Sequence, residues 1–354
     1  MIPVRSGVAA HPQLATRKGG QAVTETALIA GSELGLYVLR SQDGGKSWGD
    51  PEVGIPEVEM AEVKAAPDGT VYVGTRGRGI LRSRDGLRSW EQVDTPPTMQ
   101  KVRTLSITPD RFLAGTEAVP SPAGVFEWED HEQWRQLGDL ADCSAASEWW
   151  YPRSDVGVHV RHLSRDPYTP DRIYAAVQVG GVAISPDGGS TWYDRRNLDL
   201  DVHMIEPDPE RPGVVYAGTG GGGMYRSTDY GDSWECISEG CGTFVVQFVI
   251  DPSGGDRLYL GTGRAGAQGG RGEVWRSEDR GSTWQKLRGG LPEELGCRIG
   301  SMHIDPESSD DVFFSCDLPR GGADSGVYHS PDAGETWRSI TDLPQVVALC
   351  GVHL

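Results

Sequence analysis

The sequence predicts an all-β fold, a single seven-bladed β-propeller closed by its own carboxyl-terminal strand, and three observations carry that prediction. An octapeptide ending in tryptophan recurs along the chain at intervals in the forties and fifties. Between its copies the residues read as four short strands parted by Gly, Asp and Pro turns. The first repeat lacks an inner strand, and the last residues supply one that has no second strand to follow it. A period of this length built from short strands is the pattern of one four-stranded propeller blade per repeat.

The octapeptide comes first because it sets the ruler. "SQDGGKSW" starts at Ser41, "SRDGLRSW" at Ser83, "SPDGGSTW" at Ser185, "STDYGDSW" at Ser227, "SEDRGSTW" at Ser277 and "SPDAGETW" at Ser330. A seventh segment, "EWEDHEQW", keeps the tryptophan spacing at Trp134 but has lost the Ser and the Gly. The carboxylate of the box can accept hydrogen bonds from the backbone N–H groups of its own turn, while glycine supplies the left-handed residue. The tryptophan can then fill volume at the foot of the blade. Six equivalent aspartates, Asp43, Asp85, Asp187, Asp229, Asp279 and Asp332, cannot all be one catalyst, so they are read as scaffold. The Asp-Pro turns at Asp166, Asp208, Asp251 and Asp305 receive the same reading.

The strands follow from the ruler. In the third repeat, residues 102–108 form the inner strand, 111–116 the second, 124–128 the third and 134–137 the outer fourth. In the first repeat "TALIAGS" is a second strand that arrives directly from an amino-terminal arm, residues 1–22. Residues 346–353 match the missing inner strand and close the ring, which removes the exposed edges of an open array. Residues 1–354 are thus expected to form one domain.

The octapeptide resembles the Asp-box, or bacterial neuraminidase repeat, of a propeller superfamily. That superfamily includes sialidases, xyloglucan-degrading glycosidases, sortilin-type receptors and a photosystem II assembly factor. The resemblance covers nearly the whole chain and implies the fold, with the box hairpins away from the active mouth. It does not imply one function, because those proteins do unrelated things on one frame. The arginine-bearing F/Y-R-I-P segment of true sialidases is absent, and no Tyr-Glu nucleophile pair is identifiable. Xyloglucan-type enzymes use two propellers where this chain has repeats for one.

Composition narrows the classes. Asp and Glu number 51 against 33 Lys and Arg, a formal net charge of -18, which opposes binding to a phosphate backbone. No apolar run is long enough to span a membrane. The first twenty residues lack the apolar core of a secretory signal, which predicts a cytoplasmic protein. Six cysteines form no C-x-x-C pair and are expected as free thiols in a reducing compartment, with Cys236 and Cys241 the alternative pair.

Function is expected where the repeats differ. The widest interval, between Trp134 and Trp192, contains the insertion 143–162 with Trp149, Trp150, Tyr151, Arg153 and Asp155. Aromatic faces beside charged groups suit a sugar ring or a planar ligand, and the alternative is an insertion folded over its own small core. Loops between second and third strands bring Arg264, Gln268 and Arg271, then Asp317, Arg320 and Asp324, and also Glu117. Arg103, Arg161 and His203 occupy one register on three successive inner strands. Facing the axis, they would form a positive arc for a carboxylate or phosphate. Hydrolysis of a glycan-like ligand would need two carboxylates about 5 to 9.5 Å apart. Glu57, Glu59, Asp155, Asp199, Asp201, Asp317 and Asp324 are candidates near the mouth, with Asp155 and Asp317 taken as the pair to test. His159, His162, His203 and His303 are candidate ligands for a divalent transition metal, although their registers differ. No other cofactor is implied. The first reading is a hydrolase or ligand-binding enzyme for an anionic or glycan-like small molecule. The second is a non-catalytic scaffold or assembly factor for a protein partner, and the third a metal-dependent enzyme.

Overall fold

Short runs of Val, Ile, Leu, Tyr and Thr cut by Gly, Asp and Pro become strands, because β-branched and aromatic side chains suit a pleated, buried surface. The structure, a computed structural model, describes residues 25–118, 122–129, 133–152, 156–195, 197–198, 201–263, 270–317 and 325–354. The strands make seven four-stranded antiparallel sheets, the blades of a propeller. Blades 2 to 7 begin with the inner strands Met60–Ala65, Val102–Ile107, His159–Arg165, Val202–Pro207, Phe244–Ile250 and Arg298–Asp305. Blade 1 takes its inner strand from the far end of the chain. Val346–His353 pairs antiparallel with Thr26–Ser32, so that Thr26 lies opposite His353 and Ser32 opposite Val346. The expected closure is therefore present. The arm expected at residues 1–22 lies outside the described residues.

The second strands are sandwiched between neighbouring blades, so their burial is near-continuous instead of alternating, whereas the inner strands have half-buried positions. Thr26–Ser32 and Ile173–Gln178 are buried at every position. The core lies in the seams, as where Leu113, Val125 and Leu137 of blade 3 meet Val160, Leu163 and Trp192 of blade 4. Near the axis the blades approach so closely that the second strand needs a residue without a side chain. A Cβ on Gly115 would stand 2.7 Å from the Val160 side chain of the next blade.

The octapeptide boxes join third to fourth strands on one face of the propeller. Asp187 accepts hydrogen bonds from the backbone N–H of Thr191 at 2.9 Å and from its hydroxyl at 2.7 Å. The other five aspartates make the same pair of bonds to Ser47, Ser89, Ser233, Thr283 and Thr336. Two successive residues of each box are left-handed: glycine holds the second in five boxes and Leu87 in the other, at φ 67°, while Tyr230, Arg280 and Ala333 hold the first in three. Each box turn also offers a carbonyl to the preceding blade. Arg338 donates to Gly45 O, Arg40 to Gly86 O, Arg111 to Gly188 O, Tyr174 to Tyr230 O, Arg226 to Arg280 O and Arg276 to Ala333 O. The box thus fastens a blade to its neighbour as well as closing its own hairpin. Blade 3, which lacks the box, has an aromatic cluster of Phe112, Trp128 and Trp134 with Tyr72 of blade 2.

The cysteines depart from expectation. Cys297 and Cys316 form a disulfide, with Cα atoms 5.5 Å apart, and Cys143, Cys236, Cys241 and Cys350 are free. Cys297 just precedes the inner strand of blade 7, and Cys316 lies opposite Ile299 on the paired second strand. That proximity is created by the hairpin register and is invisible in the spacing of the cysteines. Among the described residues no helix is long and apolar enough to cross a membrane.

Candidate functional site

The face opposite the boxes carries the loops that enter the inner strands and those that leave the second strands. Near the start of every inner strand the antiparallel ladder skips one residue. The skipped residues are Val347, Ala61, Arg103, Arg161, His203, Val246 and Gly300 in blades 1 to 7. A β-bulge leaves its extra residue unpaired and re-aims its side chain. All seven line one cavity of about 300 Å³ at the mouth of the axis. The shared register read for Arg103, Arg161 and His203 is therefore real, and the bulge is what turns it toward the axis.

Basic and acidic side chains interleave at the cavity, with Arg76, Arg103, Arg161 and Arg298 beside Glu33, Glu59 and Glu62. Glu117, at the end of the second strand of blade 3, has a fully buried side chain. Its Oε1 accepts from Arg76 Nε at 2.7 Å and lies 3.5 Å from Arg103 Nη1, while its Oε2 lies 3.6 Å from Lys101 Nζ. One carboxylate is shared among three cations, and Glu59 also pairs with Arg76. Burial, followed by the charges of Arg161 and Arg76, pulls the Arg103 guanidinium down to about 9. On the next blades His203 donates from Nδ1 to Val245 O at 2.8 Å, and its Nε2 lies 3.2 Å from Asp201 Oδ1. An oxygen thus faces each ring nitrogen. Burial pushes the Asp201 carboxyl upward, but His203 outweighs it and holds the group below the usual range.

Below the mouth, Lys64 Nζ lies 3.8 Å from Glu62 Oε1. Glu62 raises the Lys64 ammonium, whereas burial raises Glu62 itself and pushes Glu206 up to about 7. The axis therefore carries guanidinium groups at the mouth and a mixed-charge cluster beneath.

The other predicted residues divide. Tyr151 lines the cavity, its ring edge-on to His159 with centroids 4.9 Å apart. Trp149 does not reach the cavity lining. It packs against the seam of blades 3 and 4 together with Leu140 and Cys143 and meets Gly180, so the insertion extends the seam's core. Trp150 is 58% exposed and also lies outside the cavity lining. Asp317 ends the second strand of blade 7 opposite Arg298. Arg153, Asp155, Arg264 and Arg320 lie outside the described residues, as do Asp199, Gln268 and Asp324.

The four histidines do not converge on a metal. His159 lies against Gln178 Oε1 at 2.8 Å and Gly157 O at 3.0 Å, and His162 Nδ1 against Ile205 O at 2.9 Å. His303 Nε2 accepts from Gly351 N at 2.9 Å. Burial lowers His159, His162 and His303 to about 2, 3 and 4, aided by Arg103 at the first and by Lys64 at the second. Among the described residues no three His, Cys, Asp or Glu side chains are grouped to hold a metal ion.

Arg76, Lys101, Gln178, Phe244 and Arg298 belong to the mouth and its charge network, and sequence reasoning missed them. One signal was available. Arg76 and Glu117 each follow a Gly-Thr that ends a second strand, in "VGTR" and "AGTE", so alignment of those strand ends places both at the mouth.

Known proteins share this frame. A family described as Sortilin, neurotensin receptor 3, matches residues 222–348. A xyloglucanase from a Paenibacillus species is 33% identical over 109 residues, covering 28% of this chain and 10% of that protein. Among solved structures, the GH74 enzyme of Niastella koreensis superposes with a TM-score of 0.63 at 17% identity, over 79% of this chain and 45% of that one. YCF48 bound to D1 peptide superposes with a TM-score of 0.57 at 15% identity, over 91% of this chain and 90% of that one. The chain thus spans a tenth of the xyloglucanase and under half of the GH74 enzyme. The structural likenesses are likenesses of fold, a seven-bladed propeller of the kind that carries Asp-box repeats.

Proposed function

We propose that this chain binds a small anionic molecule, through a carboxylate or phosphate, at the axial mouth framed by Arg103, Arg161 and His203. The observation that carries the reading is the buried Glu117 carboxylate shared by Arg76, Lys101 and Arg103, next to a further guanidinium at Arg161. An anion between these groups would accept the strong, charge-assisted bonds that guanidinium groups make. The cavity, at about 300 Å³, lies at the lower end of the range for small-molecule sites. Calorimetric titration with inorganic phosphate and small carboxylates tests this. Saturable binding that Arg103→Gln weakens supports it, and the absence of binding by any small anion ends it.

Hydrolysis of the bound molecule is the second reading, favoured by the xyloglucanase match. It assigns Asp155 and Asp317 as the acid pair. A panel of chromogenic glycosides, with Asp155→Asn and Asp317→Asn as controls, decides it, and uniform inactivity removes it. The exposed indole of Trp150 together with the peptide-bound YCF48 neighbour favours a scaffold role for the mouth face. Under that reading the anionic group belongs to a protein partner, and Trp150→Ala weakens its binding.

A further inference from the structure

The bulge fixes depth as well as direction, so counting from it sorts the inner strands into layers along the axis. Two residues past the bulge every blade carries a buried apolar side chain, as at Val63, Ile205 and Leu349. Residues one and three past it share the opposite face of the strand. The charged side chains at those positions are Glu62, one residue past its bulge, and Lys64 and Glu206, three past theirs. The other titratable ones are His162, His303 and Cys350. Lys64 Nζ lies 3.8 Å from Glu62 Oε1, whereas Glu206, three blades away, makes no hydrogen bond or salt bridge among the described residues.

The remaining groups around Glu206 keep a fixed charge near neutrality. Burial lowers His162 and His303 to about 3 and 4, and it pushes Cys350 up to about 11. Tyr216, paired opposite Glu206 on the second strand, is pushed up by burial to about 12. The inner strand of blade 6 carries no charged or titratable side chain, and at the box end of Glu206's own strand Asp208 is held by Arg280. The charge of the shaft therefore rests on one ammonium and two carboxylates. Burial opposes ionisation of Glu62, while Lys64 and, from the mouth, Arg161 favour it. One ammonium balances one carboxylate, and Glu206 is the one left over.

We infer that Glu206 regulates the anion site through its own proton: protonated, it leaves the shaft below the mouth neutral, and ionised, it sets one net negative charge beneath the bound anion. This rests on the anion-binding reading above and adds its regulation. Burial raises Glu206 to about 7, with the Lys64 ammonium opposing the rise and the Glu62 carboxylate adding to it. The change of charge thus falls across neutrality, with tighter binding on the acid side and weaker binding on the alkaline side.

Calorimetry of the full chain with sulfate, whose own charge is constant over the range, tests the link at about pH 5.5 and about pH 8.5. The parent binds sulfate at least about threefold more tightly at the lower pH, the order expected for one added charge in a partly screened shaft. His203 is the other group at the mouth that can change charge, and Glu206→Gln separates the two. That variant binds sulfate like the parent at the lower pH and at least about threefold more tightly than the parent at the higher one. Equal affinities of variant and parent at both pH values overturn the regulation and leave anion binding standing. Should the variant fold poorly, the assigned carboxyl carbon resonance of Glu206 in the parent reads the proton directly. Its expected midpoint is about 7, and a midpoint below about 5 overturns the regulation. If sulfate binds at neither pH, the functional reading itself falls.

Discussion

The two faces of this propeller use the same economy of repetition and arrive at opposite results. On the box face one octapeptide is repeated in six blades, and each copy makes the same bonds to its own turn and offers a carbonyl to the blade before. On the mouth face one backbone device, the bulge, is repeated in all seven blades, yet its residue changes from Arg to His to Val to Gly. Where backbone and side chain repeat together, the structure gains stability. Where the backbone repeats and the side chain varies, a rigid frame presents a chosen set of groups to one small volume, which is how a recognition site is built on a stiff scaffold.

The comparison breaks most visibly at a buried arginine on the box face. Arg280 has a side-chain exposure of 2% and reaches Glu210 at 2.9 Å and Asp256 at 2.8 Å, with Asp208 bound as well. Arg280→Met leaves Asp208 buried without its cation, and the loss of stability is expected to be about 3–5 kcal/mol. Urea unfolding measures it. Anion binding at the mouth, on the other face, stays unchanged in the protein that remains folded. Loss of binding at equal folded fraction would show that the faces are not independent.

The mouth has one covalent fastener of its own, and it should rank second. The Cys297–Cys316 disulfide closes a loop with a sequence separation of 19. Its replacement by a pair of alanines is expected to cost about 2–4 kcal/mol, less any relief of strain in the native state. Alkylation under denaturing, non-reducing conditions with mass spectrometry should count four reactive thiols, and six would remove the bridge.

Third comes the charge of the mouth. Arg103→Gln and Arg161→Gln are each expected to weaken phosphate binding by about tenfold or more, since a hydrogen bond to a charged group contributes about 1.5–3 kcal/mol. Thermal stability should hold or rise in Arg103→Gln, because burial beside Arg161 and Arg76 already disfavours that charge. A variant that loses stability and binding together would place Arg103 with the scaffold.

The sequence disclosed the box face almost completely, because its function is local. Ser185 to Trp192 closes a turn within eight residues, and the same pattern six times over leaves little freedom. Blade 1 was legible for a related reason: a missing strand at one end and a surplus at the other have one joint solution. The mouth was legible only where it inherits a register, as Arg103, Arg161 and His203 do. Arg76 reaches Glu117 across 41 residues, and Cys297 meets Cys316 through a hairpin register, so neither contact has a local signature. Trp149 misled for the converse reason. An aromatic run looks like a ligand platform, yet an insertion must be anchored to the blades beneath it, and Trp149 packs against the seam of blades 3 and 4.

The smallest effect separates the faces by acid alone. The box aspartates are held below the usual carboxylate range by the hydroxyl and backbone N–H of the turn, with Asp43 and Asp85 down at about 2. A depressed carboxylate contributes stability that is present above its unfolded value near 4 and is lost as the pH falls through the folded value, so the box face weakens between about pH 4 and pH 2. Glu206, in the axis, runs the other way. Burial raises it to about 7, so the folded state holds its proton where the unfolded chain does not. Its contribution is complete below about pH 4 and is lost as the pH climbs through 7. Three buried histidines oppose Glu206: His159, His162 and His303 stay neutral in the folded state where the unfolded chain takes up protons, so their contribution is lost as the pH falls below about 6.5. Glu206→Gln should make stability rise more steeply with pH between about pH 4 and pH 7 than in the parent and leave the limb below pH 4 intact, while Asp187→Asn should trim that lower limb slightly and leave the other alone. Melting temperatures across pH 2 to 8 read both, and a single limb altered by both substitutions would mean that the two faces titrate as one.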